Sequence, residues 1–157
     1  MSIEIREAGP ADVETLFAIQ RVTSLAAFAE IFPPDRYPFP DDAVRARWSE
    51  AVADASRRVL LAERDGRAAG MVSFRPGRLD ALYVVPDEWR RGIGTRLHDE
   101  AIAALRTTST EVRLWVLEHN EVARRFYERH GWRLDGRERV VPFPPHPLDV
   151  GYTLPLR

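Results

Sequence analysis

The sequence contains no cysteine and no lysine, and each absence removes a class of chemistry. Without cysteine, the chain can form no disulfide, no thiolate nucleophile and no cysteine-ligated metal site. All 23 basic residues are arginine, so no lysine can form a Schiff base or act as the cation of a phosphate-binding loop. We therefore expect a protein of a reducing compartment whose chemistry needs neither residue.

Long apolar runs and an excess of one charge are also missing. No run of about 18 uncharged apolar residues occurs, and the N-terminus is charged from Glu4, unlike a signal peptide. The formal net charge of -1 gives no general reason to bind nucleic acid or an anionic membrane. We predict a cytoplasmic protein with neither as a partner. Its bias towards arginine, alanine and proline is typical of a GC-rich coding sequence and indicates a bacterial source.

The chain has the length and apolar content of one domain. Its 157 residues are 45% hydrophobic, enough for one core, and we predict a single domain over residues 1–157. Periodicity and turn residues predict the element order β-α-α-β-β-β-α-β-α-β-β. A strand-helix-strand unit preceded by a meander predicts an α/β (α+β) fold, a mixed sheet with helices on both faces.

Gly92 and Gly94 stand one residue apart in WRRGIGTRL, directly before a helical pattern. Such a pair leaves backbone N–H groups uncovered at the positive end of the helix dipole, which favours a phosphate. The alternative is a tight strand-to-helix turn that needs positive φ. The glycines alone do not decide between the two.

Two well-known phosphate loops do not fit these residues. A dinucleotide-binding fingerprint requires a third glycine where Leu97 stands, and a nucleoside-triphosphate loop requires a lysine. What remains is an anion site beside Arg90 and Arg91, whose guanidinium groups can bind phosphate in a bidentate manner.

At this point the chain resembles the GNAT superfamily of acyl-CoA-dependent N-acetyltransferases. LYVVPDEWRRGIGTRLHDEAI is similar to that family's strand, proline-containing turn, pyrophosphate loop and helix. LWVLEHNEVARRFYERHGWRLDG is similar to its next strand, its Asn-x-x-Ala helix with a tyrosine, and its Gly-aromatic turn. The two segments lie within residues 79–136. The resemblance implies a mostly antiparallel central sheet of about six or seven strands flanked by about four helices, with acetyl-CoA as the co-substrate.

The resemblance also implies roles for individual residues. Backbone N–H groups would cradle the pyrophosphate, with an arginine beside them, along the stretch Arg90, Arg91, Gly92, Ile93, Gly94 and Thr95. Leu82, Tyr83 and Val84 would hold the pantetheine arm, and a backbone N–H there would polarise the thioester carbonyl. Asn120 would lie near the same arm.

Two further positions bear on the family pattern. Tyr127 matches the tyrosine that can protonate the departing thiolate; its alternative is core packing, since Ala123 and Tyr127 share one helical face. Trp89 stands where the family's loop usually begins with glutamine or arginine, and its indole can cover the loop from outside.

The catalytic base is not evident from the family pattern. The usual glutamate position on the strand before the loop is Arg78, which cannot accept a proton. Asp80 lies two residues further on, so a period of two places both side chains on one face. We predict Asp80 as base or water-positioning residue, against the alternative of a solvent-facing aspartate. Glu30 is a second candidate, if the first helical loop folds over the acceptor.

The acceptor site is predicted from two proline-rich segments, AEIFPPDRYPFPDD and VVPFPPHP, which hold eight of the twelve prolines. In the family these segments commonly flank the acceptor. Proline stiffens the backbone while aromatic side chains supply apolar walls and acidic ones attract a cation. The predicted substrate residues are Glu30, Phe32, Tyr37 and Phe143. Rigid surface loops whose aromatics fill core gaps remain the alternative.

The four histidines form no spaced set with carboxylates that resembles a metalloenzyme. We predict no metal site and expect each histidine to face solvent or lie in a loop.

These observations predict an acetyl-CoA N-acetyltransferase that acts on a primary amine of a small molecule by direct attack. A protein N-terminal or lysine acetyltransferase is one alternative. A non-catalytic acyl-CoA-binding module, suggested by Arg78 at the base position, is another. A homodimer is possible by analogy with similar folds.

Overall fold

The computed structural model describes residues 2–156 of the chain. Over these residues the chain forms seven strands and four helices. In chain order they are β1 (Ile3–Glu7), α1 (Val13–Ala27), α2 (Asp41–Ala53), β2 (Arg58–Arg64), β3 (Arg67–Arg75), β4 (Arg78–Val84), α3 (Ile93–Leu105), β5 (Glu111–Leu117), α4 (Glu121–Arg129), β6 (Arg133–Val140) and β7 (Leu148–Pro155). This is the order that the sequence predicts.

All seven strands belong to one sheet with the order β1-β2-β3-β4-β5-β7-β6. Only the β4–β5 pair is parallel within the described part of the chain. The predicted mixed, mostly antiparallel sheet is therefore confirmed. Its parallel pair requires a crossover, which α3 supplies, as expected for a strand-helix-strand unit.

The helices cover both faces of the sheet. The first face packs against α1 and α2 through a cluster that contains Leu16, Trp48 and Met71. The second packs against α3 and α4 through a larger cluster that contains Leu97, Val112 and Trp132. Tight turns set the strand register at several points: Asp65 and Gly66 both have positive φ between β2 and β3, as the predicted hairpin requires.

The parallel pair holds together at one end only. Arg78 opposite Arg113 is the single register pair between β4 and β5 in residues 2–156. Beyond it the two strands diverge towards their C-terminal ends. The gap between them is the place in the sheet where backbone groups have no neighbouring strand.

A β-bulge in β4 lies beside this gap. Ser73 pairs with Ala81 while Phe74 pairs with Leu79, so Asp80 is the extra residue. The bulge changes the alternation of side chains: Leu79 and Leu82 both pack on the α3–α4 face, whereas Ala81 and Tyr83 pack on the α1–α2 face.

None of the helices over the described residues is long and apolar enough to cross a membrane.

Candidate active site

A cavity of about 560 Å³ opens where β4 and β5 diverge. Its walls come from both strands, from the start of α4, from the end of α1 and from the C-terminal hairpin. The lining residues are Phe28, Arg78 to Tyr83, Arg113 to Leu117, Asn120, Ala123, Tyr127, Arg137, Arg139 and Asp149. The sequence-predicted residues Asp80, Leu82, Tyr83, Asn120 and Tyr127 therefore meet in one cavity.

The two faces of the sheet give the cavity two chemically different sides. On β5, Leu114 and Val116 pack into the α3–α4 core, so the alternate residues Arg113 and Trp115 lie on the α1–α2 face. The α3–α4 side of the cavity is thus apolar apart from the Tyr127 hydroxyl, whereas the α1–α2 side carries Trp115, Tyr83 and most of the charged groups.

The glycine pair lies at the N-terminus of α3. Gly92 is the N-cap with φ +86, and a Cβ there would meet no atom within 4 Å, so the backbone conformation alone requires glycine. Gly94 lies inside the first turn, where a Cβ would stand 3.4 Å from the Phe126 ring. The two glycines therefore serve the turn and the close packing of α3 against α4.

The same turn leaves donors exposed at the end of the helix. The first helical hydrogen bond runs from Arg96 N to Gly92 O at 3.1 Å, and no side chain caps the helix. The preceding N–H groups, from Ile93 to Thr95, have no intrahelical acceptor. The turn reading and the anion-site reading of the glycines are compatible.

The residues before the turn are held by a small network. The Trp89 indole donates to Val84 O at 2.6 Å and so ties the loop back to the end of β4. Glu88 accepts from Arg64 Nε at 2.9 Å and lies 3.5 Å from Arg91. Arg90 is exposed and has φ +65.

Tyr127 projects from α4 into the apolar side of the cavity. It is 7% exposed and packs edge-on against Phe126, 5.3 Å away between ring centroids. Its phenol has no hydrogen-bond partner among residues 2–156. Burial, aided by the nearby Tyr83, raises the pKa of Tyr127 far above that of a free phenol. The hydroxyl is therefore protonated at neutral pH and free to donate.

Tyr83 faces the cavity from β4, on the α1–α2 face. Burial raises its pKa to about 12, although the Arg47 guanidinium opposes this rise and the Asp149 carboxylate adds to it. Sequence reasoning treats Tyr83 only as a strand residue along the pantetheine arm. The structure adds a second protonated phenol on the opposite side of the gap from α4.

Asn120 is the N-cap of α4. Its Oδ1 accepts from Ala123 N at 3.2 Å, which orients the side chain at the cavity wall and leaves its amide donors available.

Asp80 lies in the cavity wall as an ion-paired carboxylate. Arg75 grips it with two hydrogen bonds, at 2.9 and 3.2 Å, and Arg78 approaches to 3.5 Å. Both carboxylate oxygens are thus held by guanidinium groups, which fixes Asp80 in the wall where it can orient water.

Asp149 is a second carboxylate in the wall, and sequence reasoning misses it. Its side chain is 11% exposed, and Oδ2 accepts from Arg139 Nε at 2.9 Å. It stands opposite Leu117 in the β5–β7 ladder, at the wide end of the gap. Only strand pairing between residues more than 30 positions apart brings it there, so no local sequence signal could have identified it.

The predicted substrate residues lie elsewhere. Glu30, Phe32, Tyr37 and Phe143 do not line this cavity; from the first helical loop only Phe28 does so. Phe143 is 40% exposed, and its ring lies 5.1 Å from the Arg47 guanidinium. Because Arg47 also acts on the pKa of Tyr83, the loop carrying Phe143 borders the α1–α2 side of the site.

The expectation that all four histidines face solvent or lie in loops is wrong for His98. This residue is 4% exposed in α3, and its Nε2 accepts from the Trp132 indole at 2.9 Å while Nδ1 lies 3.0 Å from Asp99. Burial lowers the pKa of His98. The apolar periodicity of α3, read at Leu97 and Ala101, gives no sign that His98 is buried. A neutral imidazole whose two nitrogens are both hydrogen-bonded can pack like an apolar ring.

His130 joins this cluster and touches the glycine turn. Its ring centroid is 4.5 Å from that of His98, and its Nε2 lies 3.3 Å from Thr95 Oγ1. Ligand atoms of His98, Asp99 and His130 lie within 4.8 Å of one another. Since the ring nitrogens already bond Trp132, Asp99, Thr95 and the Phe126 carbonyl, the group is explained as packing.

Comparison with known proteins identifies the family. Residues 24–132 match the model of the acetyltransferase (GNAT) family. The chain belongs to this family. A probable N-acetyltransferase of Mycobacterium tuberculosis is 30% identical over 87% of this chain and 83% of its own length. The peptidyl-lysine N-acetyltransferase YjaB of Salmonella typhimurium is 29% identical over 94% and 96%.

Solved structures share the fold of this GNAT protein. The PaiA N-acetyltransferase of Thermoplasma acidophilum, in complex with coenzyme A, has a TM-score of 0.76 and 22% identity over 99% of this chain and 100% of its own. A GCN5-related N-acetyltransferase of Rhodopseudomonas palustris has a TM-score of 0.82 and 19% identity over 99% and 97%.

Family membership establishes the class of reaction. This GNAT protein is an acyltransferase that uses acetyl-CoA as its co-substrate. The relatives do not establish one acceptor, since the Salmonella protein is named for peptidyl-lysine and the Mycobacterium protein for no substrate.

Proposed function

We propose that this GNAT protein transfers the acetyl group of acetyl-CoA to a primary amine of a small molecule by direct attack. The cavity between β4 and β5 supports this most strongly. It combines an unpaired strand edge, a free phenol at Tyr127 and a charged side with Asp149. A donor thioester and an acceptor amine can therefore meet there from opposite faces of the sheet.

The glycine turn is the proposed site of the CoA pyrophosphate. The N–H groups of Arg91, Gly92, Ile93, Gly94 and Thr95 would bind its oxygens, with Arg90 alongside. The positive end of the α3 dipole and a free set of donors favour an anion at this position. Leu82 and Val84 would face the pantetheine arm from the unpaired edge of β4, with Asn120 across the gap.

Acetyl-CoA supplies an activated thioester, and the residues of the chain would manage the protons. The amine must be neutral to attack, yet a free alkyl amine is mostly protonated at neutral pH. Asp149, at the wide end of the gap, would take up this proton directly or through water. Asp80 would orient water because two arginines hold its carboxylate in place. As the carbon–sulfur bond breaks, Tyr127 would donate its proton to the sulfur and recover one from solvent.

Acetylation of a protein lysine or N-terminus is the second candidate, and one observation favours it. The relative from Salmonella typhimurium, similar over 94% of this chain, is named a peptidyl-lysine N-acetyltransferase. The volume of about 560 Å³ instead matches the clefts that enclose small ligands, and we favour a small acceptor for this reason.

Release of free CoA thiol from acetyl-CoA, followed against a library of small amines and lysine peptides, tests the proposal. We expect thiol release with one class of small amine and formation of its N-acetyl product. Transfer to peptides alone would refute the small acceptor, and no transfer to any amine would refute the proposed reaction.

A further inference from the structure

Two arginines face each other where β4 and β5 join. Arg78 and Arg113 form the single register pair between these strands in residues 2–156, and both line the cavity. Directly opposed residues of neighbouring strands point to the same face, so two cations lie side by side. Like charges in this arrangement destabilise a sheet unless an anion separates them.

Neither guanidinium has a strong partner of its own. Arg78 lies 3.5 Å from Asp80, but Arg75 already holds that carboxylate with two shorter bonds. Arg113 lies 3.4 Å from Glu111, whose side chain is 51% exposed. Such an exposed contact contributes little. Both arginines are themselves 52% exposed, open to a ligand in the cavity.

The other two arginines of the lining are committed differently. Arg137 bonds Asp135 at 2.8 Å and the carbonyl of Leu114 at 3.2 Å. Arg139 bonds Asp149 at 2.9 Å. Both also pack on the Trp115 ring, 4.5 Å from its centroid. Arg137 and Arg139 therefore stabilise the cavity wall, whereas Arg78 and Arg113 make only weak contacts and leave their charges open to the cavity.

We propose that the acceptor amine also carries a carboxylate and that Arg78 and Arg113 bind this group. The inference rests on the proposed function and names its substrate class: small amino carboxylates. Arginine pairs suit the planar, two-oxygen geometry of a carboxylate. The anion would also relieve the repulsion between the two arginines.

The strand geometry sets the spacing of the two groups on the acceptor. The Arg78 guanidinium reaches the level of Asp80, and Leu82 lies two residues further along β4, or ~7 Å. Asp149 lines the same cavity and acts on Tyr83, the residue after Leu82. An amine at this level would therefore be within reach of Asp149, while the carboxylate of the same molecule would lie at the arginines. Several bonds separate the two groups, as in an ω-amino acid or the side chain of a larger amino acid.

A panel of matched acceptors tests the charge requirement. It contains the twenty free amino acids and the ω-amino carboxylates from β-alanine to 6-aminohexanoate, each with its primary amide, together with polyamines and a lysine peptide with acidic neighbours. We expect kcat/KM to be ~10-fold or more higher for acids than for their amides, the scale of a charge-assisted hydrogen bond.

The other outcomes separate this inference from the proposed function. Transfer to amides or polyamines as fast as to acids would overturn the carboxylate requirement and leave the acetyltransferase proposal standing. Transfer to the peptide alone would overturn the small acceptor. Transfer to no member of the panel would overturn both.

Substitutions then test whether Arg78 and Arg113 are the residues that bind the carboxylate. Arg113→Gln should raise KM for the best acid ~10-fold or more and leave KM for acetyl-CoA and turnover of the amide unchanged. Arg78→Gln should raise the same KM, and because Arg78 also contacts Asp80 it should lower turnover of acid and amide alike. Arg113→Lys should recover part of the loss because it keeps the charge. Arg58→Gln is the matched control, since Arg58 is a half-exposed, ion-paired strand arginine on β2. An equal effect of Arg113→Gln on acid and amide would overturn the assignment.

The midpoint of thermal unfolding shows whether Arg113→Gln acts by weakening the fold. In the absence of acceptor, Arg113→Gln should not lower the midpoint, because removing one of two opposed like charges costs the sheet nothing. A large drop in the midpoint would mean that Arg113 supports the fold, and would overturn its assignment to the ligand.

Discussion

At the scale of single residues, the site depends on how burial changes the pKa values of its tyrosines. Tyr127 and Tyr83 both have raised pKa values because protein surrounds their rings, so both phenols stay neutral across the physiological range. A phenol that cannot ionise is a poor base. Its transfer of a proton to a thiolate is uphill, since the reference pKa of a thiol (~8.5) is below that of a phenol (~10), so Tyr127 must be aligned with the sulfur as the carbon–sulfur bond breaks.

Replacing Tyr127 by Phe should therefore lower kcat without changing the fold. General acid catalysis contributes ~10²- to 10⁴-fold, and we expect a loss within this range with KM for acetyl-CoA nearly unchanged. Steady-state kinetics with the best acceptor measures it. Tyr37→Phe, at a tyrosine outside the cavity lining, is the control, and full turnover by Tyr127→Phe would remove this residue from the mechanism.

The two aspartates should separate in their pH dependence. Asp149→Asn removes the proposed proton acceptor, so kcat/KM should fall most at low pH, where the acceptor amine carries its proton, and recover in part as pH rises towards the pKa of the amine. Asp80→Asn should lower the rate across the profile and keep its shape, because Asp80 is proposed to orient water and not to accept a proton. Profiles between pH 5 and 9 measure both, and the reverse pattern would exchange the two roles.

His98 should link stability to pH. Burial lowers its folded pKa below the ordinary 6.5, so below that pH the unfolded chain binds more protons than the folded one. The free energy of unfolding should then fall as pH falls from 6.5, by at most ~1.4 kcal/mol per pH unit. Urea unfolding at pH 7.5 and 5.0 measures the change. His98→Gln should reduce it, whereas His119→Gln, at a side chain 75% exposed, should not.

At the scale of secondary-structure elements, the turn into α3 combines a conformational and a binding requirement. Gly92 has φ +86 with open space around it, so only the backbone conformation forbids a side chain. That conformation turns the chain into α3 and leaves the first N–H groups of the helix pointing outward.

Gly92→Ala should separate these two requirements by comparison with Gly66→Ala. Both glycines have positive φ and no atom within 4 Å of an added Cβ, so both variants should lose ~1 kcal/mol of unfolding free energy. Only Gly92→Ala should raise KM for acetyl-CoA, because only its backbone forms the proposed pyrophosphate site. Denaturant unfolding and kinetics measure the two effects, and an unchanged KM would place the pyrophosphate elsewhere.

The same elements show what sequence can predict. The element order and the glycine turn follow from local signals, such as Asp65-Gly66 and the contiguous residues from Trp89 to Thr95. The bulge at Asp80 has no such signal, and it changes which residues of β4 share a face. The wall formed by Trp115, Arg139 and Asp149 depends on pairing of β5, β7 and β6, which no local pattern encodes.

At the scale of the whole molecule, the cavity is a property of the sheet rather than of any one loop. The sheet is continuous on either side of the β4–β5 gap, with four strands from β1 to β4 and three in β5, β7 and β6. On the α3–α4 face one apolar cluster contains strand residues of both parts, whereas on the α1–α2 face the clustered strand residues come from β2, β3 and β4. The donor and the acceptor can thus approach from different faces without a moving domain.

Hydrogen exchange should reveal this arrangement directly. We expect amides of β4 beyond Arg78 that face the gap to exchange faster than those of β3, because they lack a neighbouring strand. Saturating CoA should slow exchange in the second half of β4 and in the turn before α3, and raise the thermal midpoint. Exchange monitored by mass spectrometry with and without CoA measures this, and protection confined to β6 and β7 would contradict the proposed binding mode.

The single register pair between Arg78 and Arg113 also has a mechanical consequence. The two parts of the sheet pair at one end of the gap and share the α3–α4 core, so the free protein should flex slightly along the line that separates them. A ligand bound in the gap would contact both parts of the sheet and restrict this motion. Acetyl-CoA would then rigidify the protein as well as react, and without it a protease should cleave the chain sooner near the gap.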